Sequence, residues 1–214
     1  MERKVSFAKG EHYHLYSRGV EKRKIFLSDK DRERFISLLY ILNQRGSFNL
    51  GNFLKKNNLI QVFNEKREGT LVEIISYCLM PNHFHMLVYE KQEGGISKFM
   101  AKILTAYSMY FNTKYERSGP LFVRPFRSQH ISQDPHYLHI FNYIHLNPSK
   151  LAGTNEKMLS FVNSYSFSSY QEYLGKKRPQ SKIINLDYAP KEILRTPLDI
   201  GDYDKYNNWN YGQV

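Results

Sequence analysis

Apolar and polar residues alternate approximately in residues 11–18, an aromatic-rich segment that Gly19 ends. Alternation with a period of two is typical of a strand with one buried face. Residues 71–79 and 83–89 are more uniformly apolar and β-prone, and a short Pro-Asn break separates them. We therefore predict a first strand at 11–18 and two central strands joined by a tight turn.

Three longer segments carry apolar residues at helical spacing. The first runs from Asp31 to about Asn43, the second from Ile96 to about Tyr115, and the third from Pro135 to about Asn147. Asp134 favours a start of the third helix, because Asp can cap free amides and Pro at the first helical position gives up no hydrogen bond. A shorter helix is predicted at 168–174.

The order of these elements suggests the architecture. Residues 121–131 are predicted to form a hairpin or an irregular pair of strands, and residues 44–70 an insertion of loops and short elements. The order strand, helix, strand, strand, helix, strand suits an α+β fold of ferredoxin-like (RRM-like) type, an antiparallel sheet with helices packed on one face. We assign residues 1–175 to one domain containing the insertion, and 176–214 to a C-terminal extension.

Composition narrows the class of partner. The 214 residues contain 31 Lys and Arg against 20 Asp and Glu, a formal net charge of +11 that favours a polyanion, nucleic acid first. On charge alone, a basic protein without such a partner remains open. The single cysteine, Cys78, excludes an intramolecular disulfide and a multi-cysteine zinc site, and its apolar surroundings indicate a buried filler. With no segment of signal-peptide or membrane-span character, we expect a cytoplasmic protein without a membrane partner.

The first candidate for chemistry is the sequence His83-Phe84-His85 in the predicted third strand. Side chains alternate along a strand, so the two imidazoles project to the same side roughly 6.5 Å apart, where both can bind one metal ion. Imidazole suits Mn, Co or Ni, and Mg when oxygen ligands complete the shell. Two surface histidines on an exposed strand face would show the same spacing, so metal binding and simple exposure both stay open.

The second candidate is the pair Tyr143 and Asn147, four residues apart on one face of the third helix. The amide oxygen of Asn147 can serve as a third metal ligand, and the Tyr143 hydroxyl would be carried to the same place. Alternatively, Tyr143 is a core or half-exposed helix aromatic, and Asn147 ends the helix before Pro148.

Residues 77–88 and 143–148 together resemble the single-tyrosine HUH transposases, in particular the REP-associated tyrosine transposase branch. Further segments agree with that family in the same order: residues 13–19, 117–122 and 166–170. The resemblance spans about residues 11–175. The chain departs from it in the insertion and in the C-terminal extension.

The resemblance implies that Tyr143 is the nucleophile and that His83 and His85 bind the metal, with Asn147 at the position that completes the metal shell. The implied activity is a metal-dependent single-stranded DNA transposase and endonuclease, using Mg²⁺ or Mn²⁺ and a 5′-phosphotyrosine intermediate to nick and rejoin hairpin-type sites. The implied partner is single-stranded or hairpin DNA. The enzyme would act as a monomer or a homodimer, associated with the nucleoid in the cytoplasm.

Five other residues are candidates for supporting contacts. His139 lies one helical turn before Tyr143 and is a candidate for supporting the ligands or contacting DNA rather than for binding the metal itself. Arginines near the matching segments are candidate phosphate contacts, and the alternative for each is a solvated surface charge. These arginines are Arg18, Arg117, Arg124 and Arg127.

Two other functions fit the same sequence. One is a non-catalytic regulator that binds hairpin DNA or RNA on the same fold. The other is a metal-dependent hydrolase that activates water instead of tyrosine, although no Asp or Glu stands beside the two histidines.

Overall fold

Four antiparallel strands form the central sheet of the computed structural model, which describes residues 6–132, 134–152, 158–189 and 191, with the backbone alone at 134 and 135. They are β1 (His12–Arg18), β2 (Glu73–Met80), β3 (His83–Tyr89) and β4 (Arg127–Ile131). Their order across the sheet is β2-β3-β1-β4. This order confirms the predicted α+β, ferredoxin-like arrangement.

Six α-helices accompany the sheet within the described residues: α1 (Asp29–Ile41), α2 (Leu50–Phe53), α3 (Gly95–Lys114), α4 (Asp134–Leu146), α5 (Met158–Ser164) and α6 (Tyr170–Tyr173). Short 3₁₀ segments lie at Val20–Lys22, Leu59–Asn64, Asn147–Leu151, Pro179–Ile183 and Leu186–Tyr188. The three long predicted helices are confirmed as α1, α3 and α4, and the short one as α6. The predicted Asp134 cap lies outside the described residues, because it depends on side chains at 134 and 135.

The start of α1 is tied to the end of α3 through one buried carboxylate. The backbone N–H of Ser28 donates to Asp31 at 2.9 Å, as in a capping box. The ammonium of Lys114 donates to the same carboxylate at 2.6 Å, and the hydroxyls of Tyr110 and Tyr115 donate at 2.9 and 2.7 Å. The buried charge of Asp31 is therefore paired and hydrogen-bonded.

Helices pack on both faces of the sheet, so the prediction that they lie on one face is wrong. On the first face, the ring of Phe84 from β3 packs 4.9 Å from Phe35 of α1, which in turn contacts Tyr107 of α3. On the second face, Leu87 of β3 packs in a core with Ile144 of α4. The physical reason is that β2 has apolar residues on both faces, such as Leu79 on the first and Cys78 on the second, so both faces of the sheet must be covered.

The single cysteine lies in the second of these cores. Cys78 is fully buried, as predicted, and burial raises the pKa of its thiol. A thiol in that state is a packing group rather than a nucleophile.

The predicted hairpin at 121–131 is wrong, because both halves of this segment pair with β1 rather than with each other. Phe122 forms an isolated bridge with Gly19, and β4 pairs along the rest of β1. Phe122 and Phe126 are both buried in the first core, which holds the segment against the sheet. A proline at residue 125, which has no N–H to donate, lies between the two paired stretches.

The insertion packs against α1, and the C-terminal extension crosses the sheet edge. Asn43, at the end of α1, donates to the carbonyl of Val72 at 2.9 Å and anchors the return of the insertion to β2. Ile184 bridges Ile74 of β2, and the ring of Tyr188 then packs 4.8 Å from Tyr89 on the second face. Beyond residue 191 the extension lies outside the described residues. None of the helices in the described ranges has the length and apolarity of a membrane span.

Candidate active site

The second face of the sheet gathers polar side chains at one end of β1 and β3. The antiparallel register places Tyr16 opposite His85 and Arg18 opposite His83. Opposed residues share a face and alternate residues along a strand do too, so these four side chains and His14 all face α4.

The two predicted metal ligands lie side by side. The ring centroids of His83 and His85 are 4.9 Å apart, with the rings nearly perpendicular. His85 is almost completely buried and His83 partly so. Burial lowers the pKa of His83 to about 4, helped by the nearby charges of Arg18 and Lys150, and burial also holds the pKa of His85 well below its usual value. Both imidazoles are therefore neutral at neutral pH, which is the form that binds a metal.

The hydrogen bond between His83 and Asn82 identifies the ring nitrogen of His83 that carries the proton. Its Nδ1 lies 2.7 Å from Oδ1 of Asn82, and Nδ2 of that amide donates to the carbonyl of Lys22 at 3.2 Å. Since the amide nitrogen faces a carbonyl, the oxygen faces the imidazole, and an amide oxygen can only accept. His83 therefore carries its proton on Nδ1 and has a lone pair on Nε2.

His85 also has a hydrogen-bonding partner at its Nδ1. Its Nδ1 lies 2.9 Å from Nε2 of His14, a fully buried residue of β1. Its own Nε2 is buried and has no hydrogen-bonding partner among the residues that the structure describes. A buried polar nitrogen without a hydrogen bond costs about 1 to 3 kcal/mol of stability, and binding of a metal ion would offset this cost.

Helix α4 brings Tyr143 to the histidines. Its ring lies edge-on to His85, with 5.2 Å between centroids, and 6.0 Å from the ring of His14. The side chain is partly buried, and burial raises the pKa of the Tyr143 phenol, while a side-chain hydrogen bond with Asn147 acts in the opposite direction. The structure thus brings the predicted nucleophile next to the predicted ligands.

Asn147 joins the same group at the end of α4. It is nearly fully buried, its Nδ2 donates to the carbonyl of Tyr143 at 2.9 Å, and its side chain is also hydrogen-bonded with His83. Among the described residues, no group of three or more His, Cys, Asp or Glu has a metal-binding arrangement. A metal at this site would therefore need two imidazoles together with oxygen from Asn147, from water or from substrate.

Lys150 is a member of the site that the sequence reasoning missed. Its Nζ lies 3.5 Å from Oδ1 of Asn147 and 5.3 Å from the centroid of the Tyr143 ring. Much of the residue is exposed, yet partial burial lowers the pKa of its ammonium. The sequence signal for Lys150 was its position three residues after Asn147. In a 3₁₀ segment, side chains three residues apart lie one above the other.

His14 and Tyr16 were also missed. The ring of Tyr16 lies 5.0 Å from His14 and 5.5 Å from His85, so a second phenol stands near the histidine pair. The sequence signal was that His14 and Tyr16 alternate on the first strand and so share a face. In a ferredoxin-like strand order, this strand lies next to the strand of His83 and His85.

The structure separates the candidate arginines into two groups. Arg18 and Arg127 lie at the site, opposite His83 and Tyr16 in the sheet register. Arg117 donates to the side chain of Asn112 and to the carbonyl of Pro120, at the end of α3. Arg124 is exposed and lines a groove beside α3, on the other side of the sheet. His139 is buried on α4, one turn before Tyr143.

Comparisons with known proteins concern the family and the fold of the chain. A family model described as "Transposase IS200 like" matches residues 9–147. No curated protein matches the chain. Among solved structures, one described as a REP-associated tyrosine transposase bound to a REP hairpin has a similar fold, with a TM-score of 0.53 and 13% sequence identity. The match covers 89% of this chain and 92% of that one, and at such an identity it shows the fold.

Proposed function

Since this chain belongs to the IS200-like transposase family, we propose that it is a metal-dependent transposase and endonuclease for single-stranded DNA. It would nick and rejoin DNA at hairpin-type sites through a 5′-phosphotyrosine on Tyr143. The observation that carries the proposal is the approach of Tyr143 to His83, His85 and Asn147 on one face of the sheet. The net charge of +11 and the hairpin bound to the structural neighbour support DNA as the partner.

The donor set fits a divalent ion, Mg²⁺ or Mn²⁺. His83 offers the lone pair on Nε2, and His85 offers a buried Nε2 that no other described residue satisfies. Asn147 is the candidate oxygen ligand, and its Oδ1 now faces Lys150. When bound, such an ion neutralises a non-bridging phosphate oxygen and so lowers the barrier to attack on phosphorus.

Tyr143 would carry out the covalent step. Its phenolic oxygen attacks phosphorus, the bond from phosphorus to the 3′ oxygen breaks, and that oxygen leaves as a 3′-hydroxyl after taking up a proton, while the phenol loses one. The phosphotyrosine retains the energy of the broken bond, so a second 3′-hydroxyl can reverse the step and join strands. The hydrogen bond from Asn147 to the main-chain carbonyl of Tyr143 fixes the end of the helix that carries the phenol, and the Tyr143 ring lies edge-on to His85.

Three cations would have two separate roles: Lys150 would stabilise the phenolate, and Arg18 and Arg127 would hold the DNA phosphates. Lys150 lies next to the ring of Tyr143, and a nearby positive charge favours the ionised form of a phenol. Arg18 and Arg127 flank the histidines on β1 and β4, where they can contact the phosphates on either side of the cleaved bond.

The test is cleavage of an end-labelled single-stranded hairpin, resolved on a denaturing gel. We expect the wild-type protein with Mn²⁺ to give a free 3′-hydroxyl fragment and a labelled species that protease treatment shifts. The Tyr143→Phe variant should bind the hairpin with unchanged affinity and give neither product. Tyr137→Phe, on the same helix, is the matched control and should still form the adduct.

Two other outcomes would contradict the proposal. Cleavage without any protein–DNA adduct would indicate a hydrolase that activates water. Tight binding without cleavage, in either Mg²⁺ or Mn²⁺, would favour a non-catalytic hairpin-binding regulator.

A further inference from the structure

His14 occupies an unusual position for a buried polar residue. It has no exposed surface, it lies on the central strand β1, and its ring stacks on that of His85 with 5.1 Å between centroids. Its Nε2 is 2.9 Å from Nδ1 of His85. Packing alone would be satisfied by an apolar side chain, so the pairing of two imidazoles here suggests a specific requirement.

The hydrogen bond between the two rings contains one proton, and it can belong to either nitrogen. If His14 donates, the neutral ring of His85 carries its own proton on Nε2 and has no lone pair there. If His85 donates from Nδ1, its buried Nε2 has a lone pair. Only the second arrangement allows His85 to bind a metal through Nε2.

We propose that His14 is a positioning residue that accepts the proton of Nδ1 and holds His85 in the tautomer that binds the metal. This inference rests on the proposed metal site. Ligating histidines usually donate their other ring N–H to an acceptor, which fixes both the tautomer and the orientation of the ring. Asn82 provides this acceptor for His83, and His14 provides it for His85.

The pairing also orients the ring of His85 mechanically. β1 and β3 are hydrogen-bonded neighbours in the middle of the sheet, so the backbone carries His14 and His85 as one rigid unit. The stacked rings restrict rotation of His85, and the hydrogen bond keeps its Nδ1 turned toward His14. We therefore expect loss of the acceptor to weaken metal binding more than it weakens the fold.

Two variants separate hydrogen-bond acceptance from packing. His14→Gln retains an oxygen that can accept from Nδ1 of His85, whereas His14→Phe retains a ring and removes the acceptor. His145→Phe is the matched control, because His145 is also fully buried and its Nε2 is 2.8 Å from a hydroxyl, that of Ser169. Mn²⁺ affinity is measured without DNA, from the electron paramagnetic resonance signal of free Mn²⁺, and folding is followed by circular dichroism.

We expect His14→Phe to weaken Mn²⁺ binding roughly 10- to 100-fold, the usual range for loss of such a partner. His14→Gln should stay within a few-fold of the wild type, and His145→Phe should match it. If His14→Phe binds Mn²⁺ as tightly as the wild type, the inference is wrong while the proposed nuclease stands. If the wild type binds no Mn²⁺, both the metal site and this inference fail.

A second measurement covers the case in which His14→Phe does not fold. Long-range ¹H–¹⁵N correlation spectra of the wild-type imidazoles report which ring nitrogen carries the proton, with and without Mg²⁺. We expect the proton of His85 on Nδ1 in the presence of Mg²⁺. A spectrum with that proton on Nε2 under the same condition would overturn the proposal, independently of any DNA cleavage.

Discussion

Replacing Lys150 by Met removes the one lysine ammonium that approaches both Tyr143 and Asn147 in the described part of the chain. The substitution keeps most of the aliphatic stem, so packing should change little. Its effect should fall on the step in which negative charge develops on the phenol and the phosphate. We therefore predict slower cleavage with nearly unchanged DNA binding.

The size of the effect follows from the 5.3 Å between Nζ and the centre of the Tyr143 ring. Two unit charges at that separation interact by about 3 kcal/mol at an effective dielectric constant of about 20. Because Lys150 is partly in solvent, we take about half of that value as the lower limit. Each 1.4 kcal/mol is about tenfold in rate, so Lys150→Met should cleave roughly 10- to 100-fold more slowly.

The assay is single-turnover cleavage of a labelled hairpin with saturating protein, together with a binding titration on the same DNA. Lys98→Met is the matched control, since it removes one exposed lysine charge from α3 on the opposite side of the sheet. Lys150→Arg, which retains the charge, should recover most of the rate. Cleavage by Lys150→Met as fast as by Lys98→Met, or a loss of DNA affinity as large as the loss of rate, would contradict this role of Lys150.

Three further predictions concern stability and the metal. Burial alone would raise the pKa of Asp31, but hydrogen bonds from Lys114, two tyrosines and a backbone N–H lower it to about 2. The resulting stability, roughly 2 kcal/mol, is present above the unfolded pKa of about 3.8 and is lost as the pH falls toward 2. Urea unfolding should thus show Asp31→Asn less stable than the wild type at pH 7, and the difference should shrink as the pH falls toward 2. A variant as stable as the wild type at pH 7 would contradict this. Phe84→Ala, which empties a fully buried site between Phe35 and Phe122, should cost about 3 to 5 kcal/mol in the same assay, and a loss below 1 kcal/mol would contradict the packing described. Mn²⁺ at about 100 times its dissociation constant should add about 2.7 kcal/mol of stability, EDTA should remove it, and a double variant with Ala at His83 and His85 should show no such gain.

The regular elements of this fold could be predicted because their patterns are local. The apolar residues Phe35, Leu38 and Leu39 recur at helical spacing and mark α1. The placement of α4 could not be derived in the same way. The largely apolar strands β2 and β3 indicate burial on both faces but not which helix covers which face, because that depends on the path of the chain after β4.

In the candidate site, too, contacts between residues close in sequence could be predicted, and contacts between distant segments could not. His83 and His85 are two residues apart on one strand, and Tyr143 and Asn147 are four residues apart at the end of α4, so strand alternation and the helical turn are enough to bring each pair together. His14 contacts His85 across 71 positions in sequence, through the pairing of two strands. Lys150 reaches the site only because the chain tightens into a 3₁₀ segment after α4, a local geometry that the helical pattern does not reveal.

The identity of the nucleophile is the claim on which the proposed function depends, and the structure makes it open to a direct test. Tyr143 and Tyr16 both lie near His85, with ring centroids 5.2 and 5.5 Å away. Mass spectrometry of the protein–DNA adduct, after nuclease and protease digestion, identifies the tyrosine that carries the 5′-phosphonucleotide. We predict that the modification is found on Tyr143 alone. A modification on Tyr16, or no modified tyrosine in a preparation that cleaves the hairpin, would contradict the account.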